Sequence, residues 1–200
     1  MNRGLALGFL LRFNEALAEY DEVIRLDPLN KHVHYNRGVV LSALHQTEKV
    51  LAAYTKAIAL DPTDAHAFVN RGNAYSDLER NREALADYTE ALVLDPNDVY
   101  GWHNRGNAYL SLHQPEKAIA DFTKAIMLDP SFCPSIHNRG NAYSKCDRYE
   151  DAITDYTEVI ALDETYTTAY RGRSMAYKAL GKMDLAAADE ASAEALTADI

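Results

Sequence analysis

The sequence has 200 residues, of which 48% are hydrophobic and 25% charged, and its net charge is −10 with an isoelectric point near 5.1. The apolar share is large enough for a buried core. An acidic chain lacks the basic face that neutralises phosphates, so we expect neither a nucleic-acid partner nor attachment to an anionic membrane surface.

The first predicted element is a short helix. Its apolar run from Leu5 to Leu11 is too short to span a membrane. Arg3 precedes the run, as in a signal peptide, but an ordinary helix fits better because no clean small-residue cleavage site follows. Cys133 and Cys146 would lie about 20 Å apart on one helix, too far for a disulfide. Free thiols and acidic charge favour a cytoplasmic location.

An internal repeat of 34 residues organises the whole chain. The tripeptide Asn-Arg-Gly begins at Asn2, Asn36, Asn70, Asn104 and Asn138. An Asp-Pro pair closes four of the units. We therefore predict a single array over residues 1–200. Its repeats are 1–30, truncated so that Met1 takes the fifth place, then 31–64, 65–98, 99–132, 133–166 and 167–200.

Each repeat predicts two helices. In residues 99–132, apolar residues recur at helical spacing on both sides of a turn at His113, Gln114 and Pro115. The second helix should end at Asp129, because a residue before proline avoids the α region. Glycine also recurs in the middle of the first helix, as at Gly106, where it costs about 1 kcal/mol relative to alanine. We infer that the partner helix approaches too closely for a β-carbon.

Seven residues of this unit carry a resemblance to a known family. They are Trp102, Gly106, Tyr109, Ala118, Phe122, Ala125 and Pro130. Together they resemble the signature of the tetratricopeptide repeat, and the resemblance extends over the whole chain. It implies an all-α fold, a right-handed α-solenoid of antiparallel helix pairs with about six repeats. It also implies that the first helices line a concave groove where such proteins hold peptide segments of their partners.

The two ends depart from the pattern. In the last repeat Ser174 replaces the glycine, and Glu190 and Glu194 replace apolar residues, so Leu185 to Leu196 is predicted as a polar capping helix. The front edge has no such cap and presents apolar side chains. These are Leu5, Leu7, Phe9, Leu10 and Leu11. Either the array continues beyond this edge, or another molecule covers it.

Arginine occupies the seventh place of every repeat. The six residues are Arg3, Arg37, Arg71, Arg105, Arg139 and Arg173. Sixteen residues later, five repeats have an acid, at Glu19, Asp87, Asp121, Asp155 and Asp189, whereas the repeat from Lys31 has Ala53. We predict a ladder of ion pairs inside or between repeats. The alternative, a basic strip for an anionic ligand, is less favoured because the matched acids would neutralise it.

Asparagine recurs at the sixth and ninth places. The sixth-place residues are Asn36, Asn70, Asn104 and Asn138, and the ninth-place residues are Asn73, Asn107 and Asn141. The two places are about one helical turn apart, so both should face the groove. A carboxamide can donate to and accept from a peptide unit, and such a row could hold an extended partner by its backbone. Alternatively, these amides only satisfy neighbouring helices.

Side chains beside this row should set selectivity. We assign that role to Tyr35, His66, Tyr100, His103, His137 and Arg171. The lysines with which chaperone-binding relatives clamp a C-terminal carboxylate are missing at the fifth place. His103 and His137 have no third ligand nearby in the pattern, so no metal site is predicted. Unpaired imidazoles would make affinity depend on protonation near pH 6.5.

The expected function is a protein-protein interaction scaffold that binds an extended peptide or protein segment in the groove. We find no phosphate loop, zinc motif or nucleophile elbow, so we expect no enzyme activity and no cofactor. A rival from another class is self-assembly into a homo-oligomer through the N-terminal edge. A third alternative is the targeting segment of a larger protein.

Overall fold

The computed structural model describes residues 2–198, without the side chains of Asn2, Arg3, Leu5, Phe9 and Ala198. The described residues form twelve α-helices. These are α1 (Asn2–Phe9), α2 (Phe13–Leu26), α3 (Lys31–Ala43), α4 (Thr47–Leu60), α5 (Ala65–Asp77), α6 (Asn81–Leu94), α7 (Val99–Ser111), α8 (Pro115–Leu128), α9 (Cys133–Lys145), α10 (Tyr149–Leu162), α11 (Thr167–Ala179) and α12 (Met183–Ala198). None of them is both long and apolar enough to cross a membrane.

The turn inside each hairpin has one left-handed residue. In five hairpins it is not glycine, with φ between 54° and 58°, for example at His45 and His113. The last hairpin uses Gly181. Pro115, which the sequence placed in the turn, is instead the first residue of α8, where its missing N–H costs no hydrogen bond. The end of α8 before Asp129 is as predicted.

The helices fall into two compact units, Met1–Pro96 and Asn97–Ile200. Within each unit every helix packs against the next one along the chain, and in the second unit α9 also contacts α7 and α11. The prediction of one uninterrupted array across residues 1–200 stays a prediction.

A close approach of first and second helices explains the recurring glycine, as the sequence predicted. A β-carbon on Gly106 would lie 2.6 Å from the Phe122 ring, and one on Gly140 would lie 2.9 Å from the Tyr156 ring. Real β-carbon contacts are never this short. The last hairpin has no ring to accommodate, since Glu190 takes its place, and there the buried Ser174 donates to the Ala186 carbonyl.

The two ends differ in their exposed surface. The predicted capping segment lies within α12, where Glu190 and Glu194 are exposed. At the front edge Leu7 is buried, contrary to its predicted exposure, because it packs in the cluster of Tyr20 and Val33. Leu10 and Leu11 of that edge are 66% and 74% exposed. The side chains of Leu5 and Phe9, also assigned to it, lie outside the described residues.

The predicted arginine–acid pairs form in four repeats, always inside one hairpin. The pairs are Arg71–Asp87, Arg105–Asp121, Arg139–Asp155 and Arg173–Asp189, each at 2.7 Å. In the third of these pairs, Arg139 Nε donates to Asp155 Oδ2 at 2.9 Å and Nη2 donates to Oδ1 at 2.7 Å, a two-pronged geometry that fixes the crossing of the two helices. A further bond from Arg139 reaches Thr123 of the preceding hairpin at 3.3 Å. The predicted pair of Arg3 with Glu19 lies outside the described side chains.

Arg37 pairs with an acid of the preceding hairpin and not with one of its own hairpin. Its own hairpin has Ala53 in place of the acid, and Arg37 bonds Asp21 on α2 of the preceding hairpin at 2.9 Å. Asp21 occupies the repeat place that is Thr123 later in the chain. The carboxylate and the smaller side chain have therefore changed places, and the guanidinium keeps one acidic partner in either arrangement.

Removing one member of the buried ion pair should cost much stability, whereas replacing both members with apolar residues should cost little. Arg139 and Asp155 side chains are only 16% and 4% exposed, and burial raises the pKa of Asp155 in spite of its bonds to Arg139. Asp155→Ala, which strands a buried guanidinium, should therefore lower the free energy of unfolding by about 3 kcal/mol. The double change Arg139→Leu, Asp155→Leu should cost less than about 1 kcal/mol. Urea denaturation measures both.

The exposed pair of Arg25 with Glu22 provides the control, because Glu22→Ala should change stability little. A double variant as unstable as Asp155→Ala would contradict the interpretation.

The pairing of Arg37 with Asp21 predicts that a second substitution restores the stability lost when Asp21 is changed. Asp21→Thr should lower the free energy of unfolding by roughly 0.5 kcal/mol, since Asp21 is 60% exposed. Adding Ala53→Asp should restore it by recreating the arrangement of the later repeats. If Ala53→Asp is equally harmful with or without Asp21→Thr, the two positions are not coupled.

Candidate peptide-binding surface

The first helices α3, α5, α7, α9 and α11 carry every residue assigned to the site. Three of these helices begin with a side chain that accepts a backbone N–H, namely Asn30, Asp64 and Asp98. Sixth and ninth places then lie one turn apart, as expected. The amides of both places are half-buried, so their environment decides what remains for a ligand.

In the second unit these side chains form a continuous hydrogen-bonded row. Asn107 Nδ2 lies 3.0 Å from His103 Nε2, and Asn138 Nδ2 donates to Asn107 Oδ1 at 2.8 Å. Asn141 Nδ2 donates to Asn138 Oδ1 at 3.4 Å, and Tyr156 OH donates to Asn141 Oδ1 at 2.7 Å. Side chains of α7, α9 and α10 are thereby held in one register.

The row also determines the protonation of His103. An amide nitrogen only donates, so His103 Nε2 accepts from Asn107 and the ring proton resides on Nδ1. Nδ1 then donates to Ser135 Oγ, 2.9 Å away. His103 is thus a neutral ring that orients Asn107, with both nitrogens engaged.

Each amide of the row retains unused hydrogen-bonding capacity. A carboxamide has two N–H donors and two acceptor lone pairs. Asn138 uses one N–H toward Asn107 and one lone pair toward Asn141. Half of its hydrogen-bonding capacity therefore satisfies neighbouring side chains, and ligand binding by the other half stays a prediction.

In the first unit, two of the amides each bond a tyrosine hydroxyl. Asn70 Nδ2 donates to Tyr35 OH at 3.0 Å, and Tyr88 OH donates to Asn73 Oδ1 at 2.8 Å. His66 is exposed and Asn36 is half-buried. Among the predicted residues of this unit, Tyr35 and Asn70 are brought together, and sequence reasoning did not identify a tyrosine hydroxyl as the acceptor.

The two histidines that the sequence assigned to the groove are enclosed by aromatic rings. His103 packs against Phe122 and Phe132, and His137 against Tyr156 and Tyr166, with ring centroids 5.3 to 5.7 Å apart. Burial lowers the pKa of His103 to about 4 and also lowers the pKa of His137. Both rings are therefore neutral at physiological pH, which argues against the proton-dependent affinity considered from the sequence.

His137 differs from His103 at one nitrogen. Ser135, the partner of His103 Nδ1, is replaced one repeat later by Ala169. His137 Nδ1 is consequently buried without a hydrogen-bond partner among the described residues. The remaining residues assigned to selectivity lie at the surface. Tyr100 packs edge-on against Phe132, and Arg171 is exposed.

Sequence reasoning missed the second-helix tyrosines. Tyr88 and Tyr156 take the same repeat place, and each donates to the ninth-place asparagine of its own hairpin. Phe122 takes that place in the repeat between them and has no hydroxyl, so the Asn107 oxygen is left to accept from Asn138. The signal was present as tyrosine at this place, fifteen residues after the asparagine. Among the described residues, no group of three or more His, Cys, Asp or Glu could hold a metal ion.

Family models of the tetratricopeptide repeat match most of the chain. Their matches cover residues 1–65, 53–86, 99–132 and 135–166, and a model of the TPR repeat covers residues 72–113. No curated protein sequence matches the chain.

Solved structures share the fold at low identity. PilW, a widely conserved type IV pilus biogenesis factor, has a TM-score of 0.82 at 20% identity, over 97% of this chain and 90% of PilW. YrrB, a TPR protein with an unusual peptide-binding site, has 0.78 at 21%, over 90% of this chain and 93% of YrrB. MamA has 0.78 at 20%, over 83% and 91%. These likenesses show an all-α tetratricopeptide repeat solenoid and assign no residue roles.

The enclosed His103 predicts a specific response to acid. Its folded pKa, about 4, lies below the unfolded value near 6.5, so the unfolded state takes up the proton first as pH falls. Stability should fall between about pH 6.5 and pH 4, by roughly 3 kcal/mol at full protonation. His103→Leu should flatten this slope in urea denaturation. Nitrogen-15 NMR should show the Nδ1–H neutral ring from pH 8 to 5.5, and a His103 that titrates above pH 6 would refute the assignment.

Proposed function

The chain belongs to the tetratricopeptide repeat family, a family of protein-interaction scaffolds, and from this premise we propose that it binds an extended segment of a partner protein along its first helices. The grip is on the partner's backbone, through the asparagine side chains of the sixth and ninth places. The side chains beside them select among partners.

The hydrogen-bonded row of the second unit is the observation that carries this proposal. His103 and Tyr156 hold its two ends, so the amides between them have little rotational freedom left to lose when a ligand binds. Such preorganisation lowers the entropic cost of association. The unused N–H and lone pair of each amide match the carbonyl and N–H of a peptide unit.

The neighbouring side chains favour a partner that presents apolar or uncharged groups here. His103 and His137 are neutral because burial lowers the pKa of each ring. Tyr100 adds an exposed aromatic surface, and Arg171 a fixed positive charge on α11. Selectivity then comes from shape and aromatic contact more than from paired charges.

A scaffold without catalytic activity agrees with the state of the cysteines. Burial raises the pKa of both Cys133 and Cys146, which disfavours the nucleophilic thiolate. Both are free thiols, and on that ground we propose a cytoplasmic location.

Self-assembly through the front edge is the second candidate. The observation that favours it is the pair of exposed leucines, Leu10 and Leu11. A second copy that covered them would remove apolar surface from water. Sedimentation at high concentration tests this: a monomer would dismiss the idea, and a dimer abolished by changing both leucines to glutamate would support it.

The proposed grip by the asparagine row predicts different partner binding by two variants that lose a similar amount of stability. Asn138→Ala removes an amide from the middle of the row, whereas Ser174→Ala removes a buried hydroxyl that donates to the Ala186 carbonyl and lies outside the row. Each should cost about 1 kcal/mol of stability. Capture of specific partners from a lysate should fall about tenfold or more with Asn138→Ala and stay near the wild-type level with Ser174→Ala.

Equal melting temperatures of the two variants are the control, measured before the capture experiment. Partner sets unchanged by Asn138→Ala, or lost equally with both variants, would show that the amide does not grip the ligand.

A further inference from the structure

A pocket opens in the second unit where the asparagine row ends. Its volume is about 580 Å³, and it lies among α9, α10 and α11, with one residue from α7. The lining residues are Leu110, Asn141, Ser144, Lys145, Tyr149, Tyr156, Gly172, Met175, Ala176 and Ala179. Asn141 is the last amide of the row, so the pocket continues the candidate peptide-binding surface.

Departures from the repeat pattern shape this pocket. The sixth place, asparagine in the five preceding repeats, is Gly172, and α11 approaches Tyr156 so closely that a β-carbon there would lie 2.7 Å from the ring. The ninth place is Met175, which is 71% exposed. The second helix of the preceding hairpin begins with an aromatic residue, Tyr149.

A smaller pocket in the first unit occupies the same repeat places. Its volume is about 170 Å³, and its lining is Gly8, Phe13, Tyr20, Asn36, Val39, Val40 and Ala43. Here too an aromatic residue, Phe13, begins the second helix, and an apolar residue, Val39, takes the ninth place of the next repeat.

The three intervening pairs of successive repeats have neither the aromatic residue nor the apolar ninth-place residue. The ninth place is asparagine, at Asn73, Asn107 and Asn141, and the residues that begin the preceding second helices are Thr47, Asn81 and Pro115. Among these five pairs of successive repeats, the aromatic and the apolar residue thus occur together twice and never separately. Such pairing points to one function for the two residues, an apolar recess beside the amides.

The charge of the larger pocket indicates which chemical groups of a partner it is complementary to. Among its lining residues Lys145 alone carries a full charge, and Lys145 forms no ion pair with any described residue. Other cations nearby are neutralised, Arg148 by Asp151 and Lys178 by Glu190. The Asp147 carboxylate accepts from Tyr149 OH at 2.7 Å. An unpaired lysine beside an apolar recess is complementary to an apolar group with a neighbouring carboxylate.

We propose that the pocket of Tyr149, Met175 and Lys145 receives a bulky apolar side chain of the partner segment, with an adjacent acidic residue of the partner directed at Lys145. The proposal rests on the proposed function and names the partner's chemistry at this end of the row. The pocket of Phe13 and Val39 is an uncharged counterpart that takes a smaller apolar side chain.

Methionine methyl NMR provides a direct test. The chain has four methionines. Met175 lines the pocket, whereas Met127, 70% exposed on α8, does not. The probe is a capped five-residue peptide with phenylalanine between two glutamates. It should shift the Met175 methyl resonance and leave that of Met127 in place. Alanine in place of phenylalanine should weaken binding about 10- to 100-fold, and lysines in place of the glutamates at least threefold.

Variants separate the pocket from the asparagine row. Met175→Asn installs the residue that three other repeats carry at this place, so the fold should tolerate it, and peptide binding should fall at least tenfold. Met127→Asn is the matched control with no effect. Lys145→Gln should lose the preference for glutamate over lysine.

The outcomes are distinct for the two proposals. A Met175 resonance that ignores the peptide at millimolar concentration, or moves no more than that of Met127, overturns the pocket. If Asn138→Ala still abolishes partner capture in that case, the proposed function stands without the pocket. If Met175 responds and capture is indifferent to Asn138, the grip by the row fails while the pocket stands.

Discussion

The close contact between the two helices of each hairpin is the constraint on which the rest of this structure depends. A ring of the second helix lies where the β-carbon of a first-helix residue would be, as Phe122 does at Gly106. Beside this contact the buried pair of Arg105 with Asp121 ties the same two helices. The contact fixes their spacing and the two-pronged ion pair fixes their angle, so the two together hold the helix pair rigidly in the repeats that have both.

That rigidity is what gives the asparagines their arrangement. The ring at the close contact is a tyrosine in several repeats, and the hydroxyl of Tyr156 reaches the amide of Asn141. Where the ring is Phe122, the amide oxygen of Asn107 accepts from the next repeat instead. The ring residue thus decides whether the ninth-place amide oxygen accepts from a hydroxyl of its own hairpin. The side chains proposed to bind a partner thus also connect neighbouring helices.

Six copies of one unit also show which residues depend on each other. When the acid is lost at Ala53, a new one stands at Asp21 and reaches the same guanidinium. In the last repeat Glu190 replaces the ring, and Ser174 replaces the glycine. Each exchange keeps a polar group bonded: the half-buried Arg37 has Asp21, and the buried hydroxyl of Ser174 has the Ala186 carbonyl, which avoids the cost of an unpaired buried polar atom.

The sequence by itself determined the period, the helix pairs, the close contact at glycine and four of the ion pairs, because these follow from spacing along one hairpin. The partner of Arg37, the shielding of His103 and the recess at Met175 arise between hairpins, and only the tertiary structure decided them. Residues that are far apart in sequence meet there at distances set by packing. A side chain's protonation and unused bonds depend on those neighbours, so the pattern located the asparagines without telling which of their bonds remain for a ligand.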